Sequence, residues 1–148
     1  AKPFEFAGAP WVNAGALTDD LNVRNLPGVR FRPVSFAPTF SKHAGALCHG
    51  VQVHVFERAR LRAFETGLHL IDALIRQNPS AFEFLPGSWE GRAPHFDLLS
   101  GVADLRPMLL ARTPVAEIVR SWQQQSSAQR EAMRAYLRRR KQYLRYGN

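Results

Sequence analysis

The chain has 148 residues, 45% of them apolar, and carries 20 Lys and Arg against 12 Asp and Glu, a formal net charge of +8. That length supports one domain with a real core and is short for two. Its apolar stretches never reach the roughly 20 residues of a spanning helix, so a soluble chain with no membrane span is expected, and the single cysteine, Cys48, excludes an internal disulfide and an all-cysteine metal site.

At the start, Ala1-Lys2-Pro3-Phe4 has neither a basic region nor an apolar stretch and is no intact secretory signal. Without an initiating methionine it reads as a fragment, a processed chain or a trimmed one. The first helix is signalled by Asn13 as N-cap, with Val12 and Leu17 forming a hydrophobic staple; it runs through Leu21 and stops before the turn Leu26-Pro27-Gly28. Val29-Arg30-Phe31-Arg32 alternates apolar and basic, whereas Val34-Ser35-Phe36 alternates on the opposite parity, which a bulge or an edge position at Pro33 would explain. Residues 37–45 are too many for a tight hairpin and rich in polar groups. In the strand Gly50–Val55, Val51, Val53 and Val55 face the core and Gln52 and His54 face the other way.

From Leu61 the spacing turns helical, with Leu61, Phe64, Leu68, Ile71 and Ile75 on one stripe expected to lie across the sheet, ending at Asn78-Pro79. Residues 82–94 are irregular, and Phe96-Asp97-Leu98-Leu99 leads into a short helix near Val102 to Ala111. Thr113-Pro114 opens the last helix, with Val115, Ile118, Val119 and Trp122 as its buried stripe. Beyond Ser126 only Met133, Tyr136, Leu137 and Leu144 continue that stripe, so its far end packs loosely or against something outside the chain. The order predicts an α+β fold, a small antiparallel sheet packed by helices in a single domain over 1–148, with 138–148 a basic helical tail.

Standard catalytic motifs are missing: there is no Gly-rich phosphate loop, nucleophile elbow or helical zinc motif. His49 and His54 fall on opposite strand faces and cannot share a metal. Cys48, beside His43 and His49, reads first as a small buried residue and second as a nucleophile or ligand. The acids, among them Glu57, Glu65, Asp72, Glu83, Asp97, Asp104 and Glu117, read as surface charges or caps, and none forms the carboxylate pair a glycosidase needs. What remains is a polar set, Thr39, Ser41, Lys42 and His43 on the loop with Gln52 and His54 on the strand. Lys42 can meet a carboxylate while hydroxyls and amide meet sugar hydroxyls and an acetamido group. The same residues read equally well as turn caps, a solvated lysine and a wet sheet face. Neither a cofactor nor a metal is expected.

The series Leu21-Asn22, Asn25 to Pro33, Pro38 to His43 and Cys48 to Val55, continued by Gly67-Leu68, Phe96 to Gly101, Trp122 and Tyr136-Leu137, resembles the C-terminal domain of the peptidoglycan exo-β-N-acetylmuramidases. The resemblance covers nearly the whole chain. It implies a glycoside hydrolase whose N-terminal Rossmann-like domain, absent here, carries the catalytic acid, with this domain lining the other side of the cleft. The implied reaction releases non-reducing-end N-acetylmuramic acid from peptidoglycan fragments, muropeptide or disaccharide, without a cofactor. No catalytic residue is assigned to this chain, which alone is not expected to be active, and the substrate makes a periplasmic or extracellular setting the expectation. Two departures stand out: His49 where a second glycine is expected, and a tail from Arg138 longer and more basic than the family's usual ending. The competing reading is a stand-alone basic module that binds nucleic acid or a cell-wall polyanion through the last helix. Nucleic acid ranks below the sugar, because few aromatics interleave with those arginines.

Overall fold

The computed structural model describes residues 4–40, 42–87, 89–123 and 127–145. Its elements are β1 (Phe6–Ala9), α1 (Ala14–Val23), β2 (Val29–Phe36), β3 (Cys48–Val55), α2 (Ala63–Gln77), α3 (His95–Ser100), α4 (Leu105–Leu110), α5 (Val115–Gln123) and α6 (Ser127–Lys141). The expected α+β class, an antiparallel sheet packed by helices, is what forms. The described residues make two compact units, one ending at Val115 and the other beginning at Ala116.

The sheet runs in the order β1-β3-β2, with both neighbours antiparallel to β3. β2 and β3 pair without interruption from Val29 opposite Val55 to Phe36 opposite Cys48. Pro33 therefore marks an edge strand and no bulge. The backbone of Phe31, two residues earlier on the same outer edge, is met instead by the Asn22 side chain, whose Oδ1 accepts from Phe31 N at 3.0 Å and whose Nδ2 donates to Phe31 O at 2.8 Å. Pro33 has no N–H to leave unsatisfied on that side.

Alternation gives the sheet two faces. Ala7, Ala9, Phe31, Val51 and Val53 point to the core, where Val12, Leu17, Leu21, Leu26 and Val29 join them. Val12 and Leu17, expected to form the staple, are both buried in that cluster, and Asn13 Oδ1 accepts from Ala16 N at 3.0 Å as N-cap. The helix lying on the sheet is α1; α2, expected in that place, packs mainly on α1 and presents Leu68, Ala73 and Ile75 inward while Phe64 stays exposed. Its polar Thr66 and Asp72 are buried as well. A second link between the two helices is Gln77, which brackets the backbone of Asn13 by accepting from its N at 3.0 Å and donating to its O at 2.8 Å.

The turn before β2 depends on Gly28, whose φ of 72° is left-handed and whose missing side chain leaves room for the carbonyl of Glu57. Residues 82–94 are irregular among the described positions and are anchored by the ring series Phe82, Phe84 and Phe96, with centroids 5.1 and 4.7 Å apart. In the second unit Ile118 is buried, and every described residue of α6 from Ala128 on is exposed. Among the described residues no helix is long and apolar enough to cross a membrane.

Candidate functional site

The outward face of the sheet carries Phe6, Gly8, Arg30, Arg32, Val34, Phe36, Cys48, Gly50, Gln52 and His54, by the pairing of β1 and β2 with β3. Gly8 lies opposite Gly50, and a Cβ on either would collide with the backbone of the other strand. The strands therefore approach closely, and the rings of Phe6 and Phe36, from the rows on either side, come to 5.5 Å.

Each residue of the expected polar set has a distinct place. Thr39 is exposed on the loop between β2 and β3, and Ser41 lies outside the described residues. Lys42 donates to Glu83 Oε1 at 3.0 Å. His43 takes a left-handed backbone, φ 64°, inside a loop closed by Gly45 N donating to Pro38 O at 2.9 Å. Lys42 and His43 line one hollow of about 170 Å³ with Trp11, Leu74, Phe82 and Glu83. His54 lines a different, open hollow of about 570 Å³ with Glu5, Val53 and Arg58. Gln52 lines neither of these. It is only 1% exposed, with Oε1 accepting from Arg32 Nε at 2.9 Å and Nε2 donating to Glu5 Oε2 at 2.8 Å. The structure thus brings Lys42 and His43 together, sets His54 apart, and leaves Gln52 able to act only through Arg32 and Glu5.

Those two partners, with Glu83 and Trp11, escaped the reading of the sequence. Arg32 had a signal, since alternation sets it opposite the core residue Phe31; its pairing with Gln52 follows from a register that the long loop leaves open. Glu5 had none, because the four residues of β1, Phe-Ala-Gly-Ala, lack strand-forming character and pair only because β3 offers an edge.

Two acids read as surface charges are buried. Asp97 accepts a forked pair of bonds from Arg106, at 3.0 Å from both Nε and Nη2, and this contact holds the guanidinium further above its already high range. Asp72 accepts from Arg24 at 2.9 Å and from Arg76 at 3.0 Å. Arg24 Nη1 also meets His69 Nδ1 at 3.1 Å; because arginine only donates, Nδ1 must accept and the ring is neutral. Burial first, and then the Arg24 charge, lower the His69 pKa from its ordinary value. Both acids are structural ion pairs. Cys48 is buried, its thiol 3.8 Å from Ala46 O, and His49 sits in register within β3 with Nδ1 2.9 Å from Ser35 Oγ, so the histidine found where glycine was expected leaves the strand regular. No three His, Cys, Asp or Glu side chains converge as a metal site among the described residues.

Comparison with known proteins bears on what such a face is for. The family model described as "Exo-beta-N-acetylmuramidase NamZ, C-terminal" matches residues 1–146. The chain is similar to the peptidoglycan beta-N-acetylmuramidase NamZ of Bacillus subtilis strain 168, at 40% identity over 146 residues that make up 98% of this chain and 32% of that protein. Its fold is similar to the crystal structure of a DUF1343 family protein from Bacteroides fragilis, with a TM-score of 0.62 and 32% identity over 71% of this chain and 27% of that one. The chain spans about a third of the length of the curated relative it matches. The family match runs through α6 to residue 146, so the basic tail lies almost wholly within the family's own span and is no added extension.

Proposed function

The chain belongs to the family of NamZ exo-β-N-acetylmuramidase C-terminal domains, and from that premise we propose that it lines the substrate cleft of a longer peptidoglycan muramidase while the catalytic groups lie in the remaining part. The observation that carries this reading is the family match over residues 1–146, supported by a relative named for the same activity. The reaction is hydrolytic release of N-acetylmuramic acid from the non-reducing end of a peptidoglycan-derived disaccharide or muropeptide. The catalytic acid sits in an N-terminal Rossmann-like domain supplied by the other two-thirds of the protein. A periplasmic or extracellular setting follows from the substrate.

On this reading Lys42 and His43 contact the substrate in the hollow they share with Trp11, His54 in the hollow it shares with Glu5, and Gln52 orients Arg32 and Glu5. Thr39 and Ser41 belong to the same loop contribution. The test is steady-state hydrolysis of a muramic-acid-terminated disaccharide by the full-length protein. Lys42→Ala and Gln52→Ala should each lower kcat/KM by about 10-fold or more, the scale of one charge-assisted hydrogen bond; unchanged kinetics in both would overturn the site assignment.

A second reading rests on α6, whose Arg134, Arg138 and Lys141 follow one another along an exposed helical face. It makes the chain a binder of cell-wall polyanion. Neutralising those three residues would then abolish salt-sensitive retention on the polymer while leaving sugar hydrolysis untouched.

A further inference from the structure

We propose that Arg32, braced by Gln52, is a carboxylate-recognition subsite on the outward sheet face, selecting a sugar that bears an acidic substituent over its neutral counterpart. The proposal deepens the muramidase reading and rests on it for the identity of the sugar.

Gln52 sits in the central strand and is 1% exposed. A buried amide needs partners at both ends, and here they are of opposite character. Arginine only donates and a carboxylate only accepts, so the amide has one orientation, with Oε1 toward Arg32 and Nε2 toward Glu5. The bond to Gln52 uses only the Nε of Arg32. Its two terminal amino groups make no hydrogen bond to a described residue, and the side chain stands on an exposed position of the edge strand.

Several other cations that the fold holds in place face carboxylates, while Arg30 spends both terminal amino groups on Asn25 Oδ1 and Val29 O. Arg24 and Arg76 meet Asp72, Arg106 meets Asp97, and Lys42 meets Glu83. Arg32 is held by a neutral amide, so its direct brace leaves its charge in place while fixing the plane of its fork. That is the arrangement that receives a carboxylate through two parallel N–H bonds. On the same face Phe6, in the row of Gln52 and Arg32, and Phe36, two rows along, place their rings 5.5 Å apart, offering apolar area against which the carbon face of a pyranose can lie. Glu5, at the other end of the amide, can accept from a hydroxyl or an acetamido N–H. The ligand class is therefore a carboxylated amino sugar, and in muramic acid the acidic group is the lactyl ether that its neutral relative N-acetylglucosamine lacks.

The test is calorimetric titration of the full-length protein with N-acetylmuramic acid and with its lactyl methyl ester. The wild type should favour the free acid by about 30-fold, the range of a charge-assisted fork. Arg32→Gln should erase that preference, and Arg32→Lys, which keeps the charge but loses the fork and the bond to Gln52, should recover only a small part of it. Gln52→Leu should lower affinity for the free acid by a larger factor than affinity for the ester, whereas a general loss of folding would lower both alike. A preference for the acid that survives Arg32→Gln, or no preference in the wild type, overturns the proposal. Hydrolysis of a muramyl disaccharide by the same samples separates the two readings. No turnover alongside an Arg32-dependent preference removes the reaction and keeps the subsite, whereas turnover with an Arg32-independent preference removes the subsite and keeps the reaction.

Discussion

Asp72 shows how a residue's type can mislead about its place. Acids at helical positions are usually solvated, yet this one is 5% exposed and joins Arg24, at the end of α1, to Arg76 on its own helix α2. Replacing it with alanine strands the mostly buried Arg24 guanidinium without its buried acceptor, and the expected loss is about 2–4 kcal/mol in urea unfolding followed by circular dichroism. His69, on the same arginine, adds a pH dependence. Its folded pKa is lowered by burial and by Arg24, so between that value and the unfolded 6.5 the unfolded chain binds more protons. The stability it contributes is complete above pH 6.5 and is lost as the pH falls below 6.5 toward the folded pKa. His69→Gln should flatten stability against pH in that window, and a profile identical to wild type would contradict the assignment.

Among the elements, β1 depends on contact more than on composition. Its place beside β3 requires glycine at both positions of the Gly8–Gly50 pair, because a Cβ at either meets backbone atoms that have no room to move. Gly50→Ala should cost about 2 kcal/mol or more, on the scale of overpacking, and should weaken amide-exchange protection at Val51 and Val53 first. The opposite edge is guarded by a side chain, since Asn22 pairs with the Phe31 backbone where a further strand would otherwise bind. The α1 start is secured twice, by its own Asn13 cap and by Gln77 from α2. Asn13→Ala should cost about 1 kcal/mol of thermal or urea stability.

For the whole molecule, the net charge of +8 is distributed unevenly and informs less about the outward sheet face than its size suggests. Arg138, Arg139, Arg140 and Lys141 close α6, in the second unit, whereas the outward sheet face carries Arg30 and Arg32, with Glu5 reached from Arg32 through the Gln52 amide. Raising salt from low to physiological strength should therefore weaken retention on an anionic cell-wall polymer steeply and sugar hydrolysis only modestly. Equal sensitivity of the two would mean that α6 takes part in substrate binding. The apolar stripe of α6, Met133, Tyr136 and Leu137, is exposed, as its thin sequence pattern predicts.

Local chemistry is legible in the order of residues alone. The N-cap at Asn13, the pairing of Val12 with Leu17 and the inward Val51 and Val53 of β3 depend on residues near one another in sequence, where spacing decides the geometry, whereas Val55, expected in the core, is 42% exposed at the strand's end and the choice of edge over bulge at Pro33 came from the pairing. The register of β2 on β3 is not legible there, because an eleven-residue connection, 37–47, leaves it free. With the register goes the pairing of Arg32, Gln52 and Glu5, and with the packing order goes the choice of α1 over α2 as the helix on the sheet. The burial of Asp72 and Asp97 is hidden for a similar reason: Arg76 is visible four residues beyond Asp72, but Arg24 lies 48 residues from it and Arg106 lies 9 residues from Asp97 on another helix, and packing brings those charges together. The sequence by itself determined most of the elements and the family to which the chain belongs; the tertiary structure decided that β1 pairs at all and which polar groups of distant segments meet, since hydrogen bonds between distant segments exist only once the hydrophobic core has set the distances.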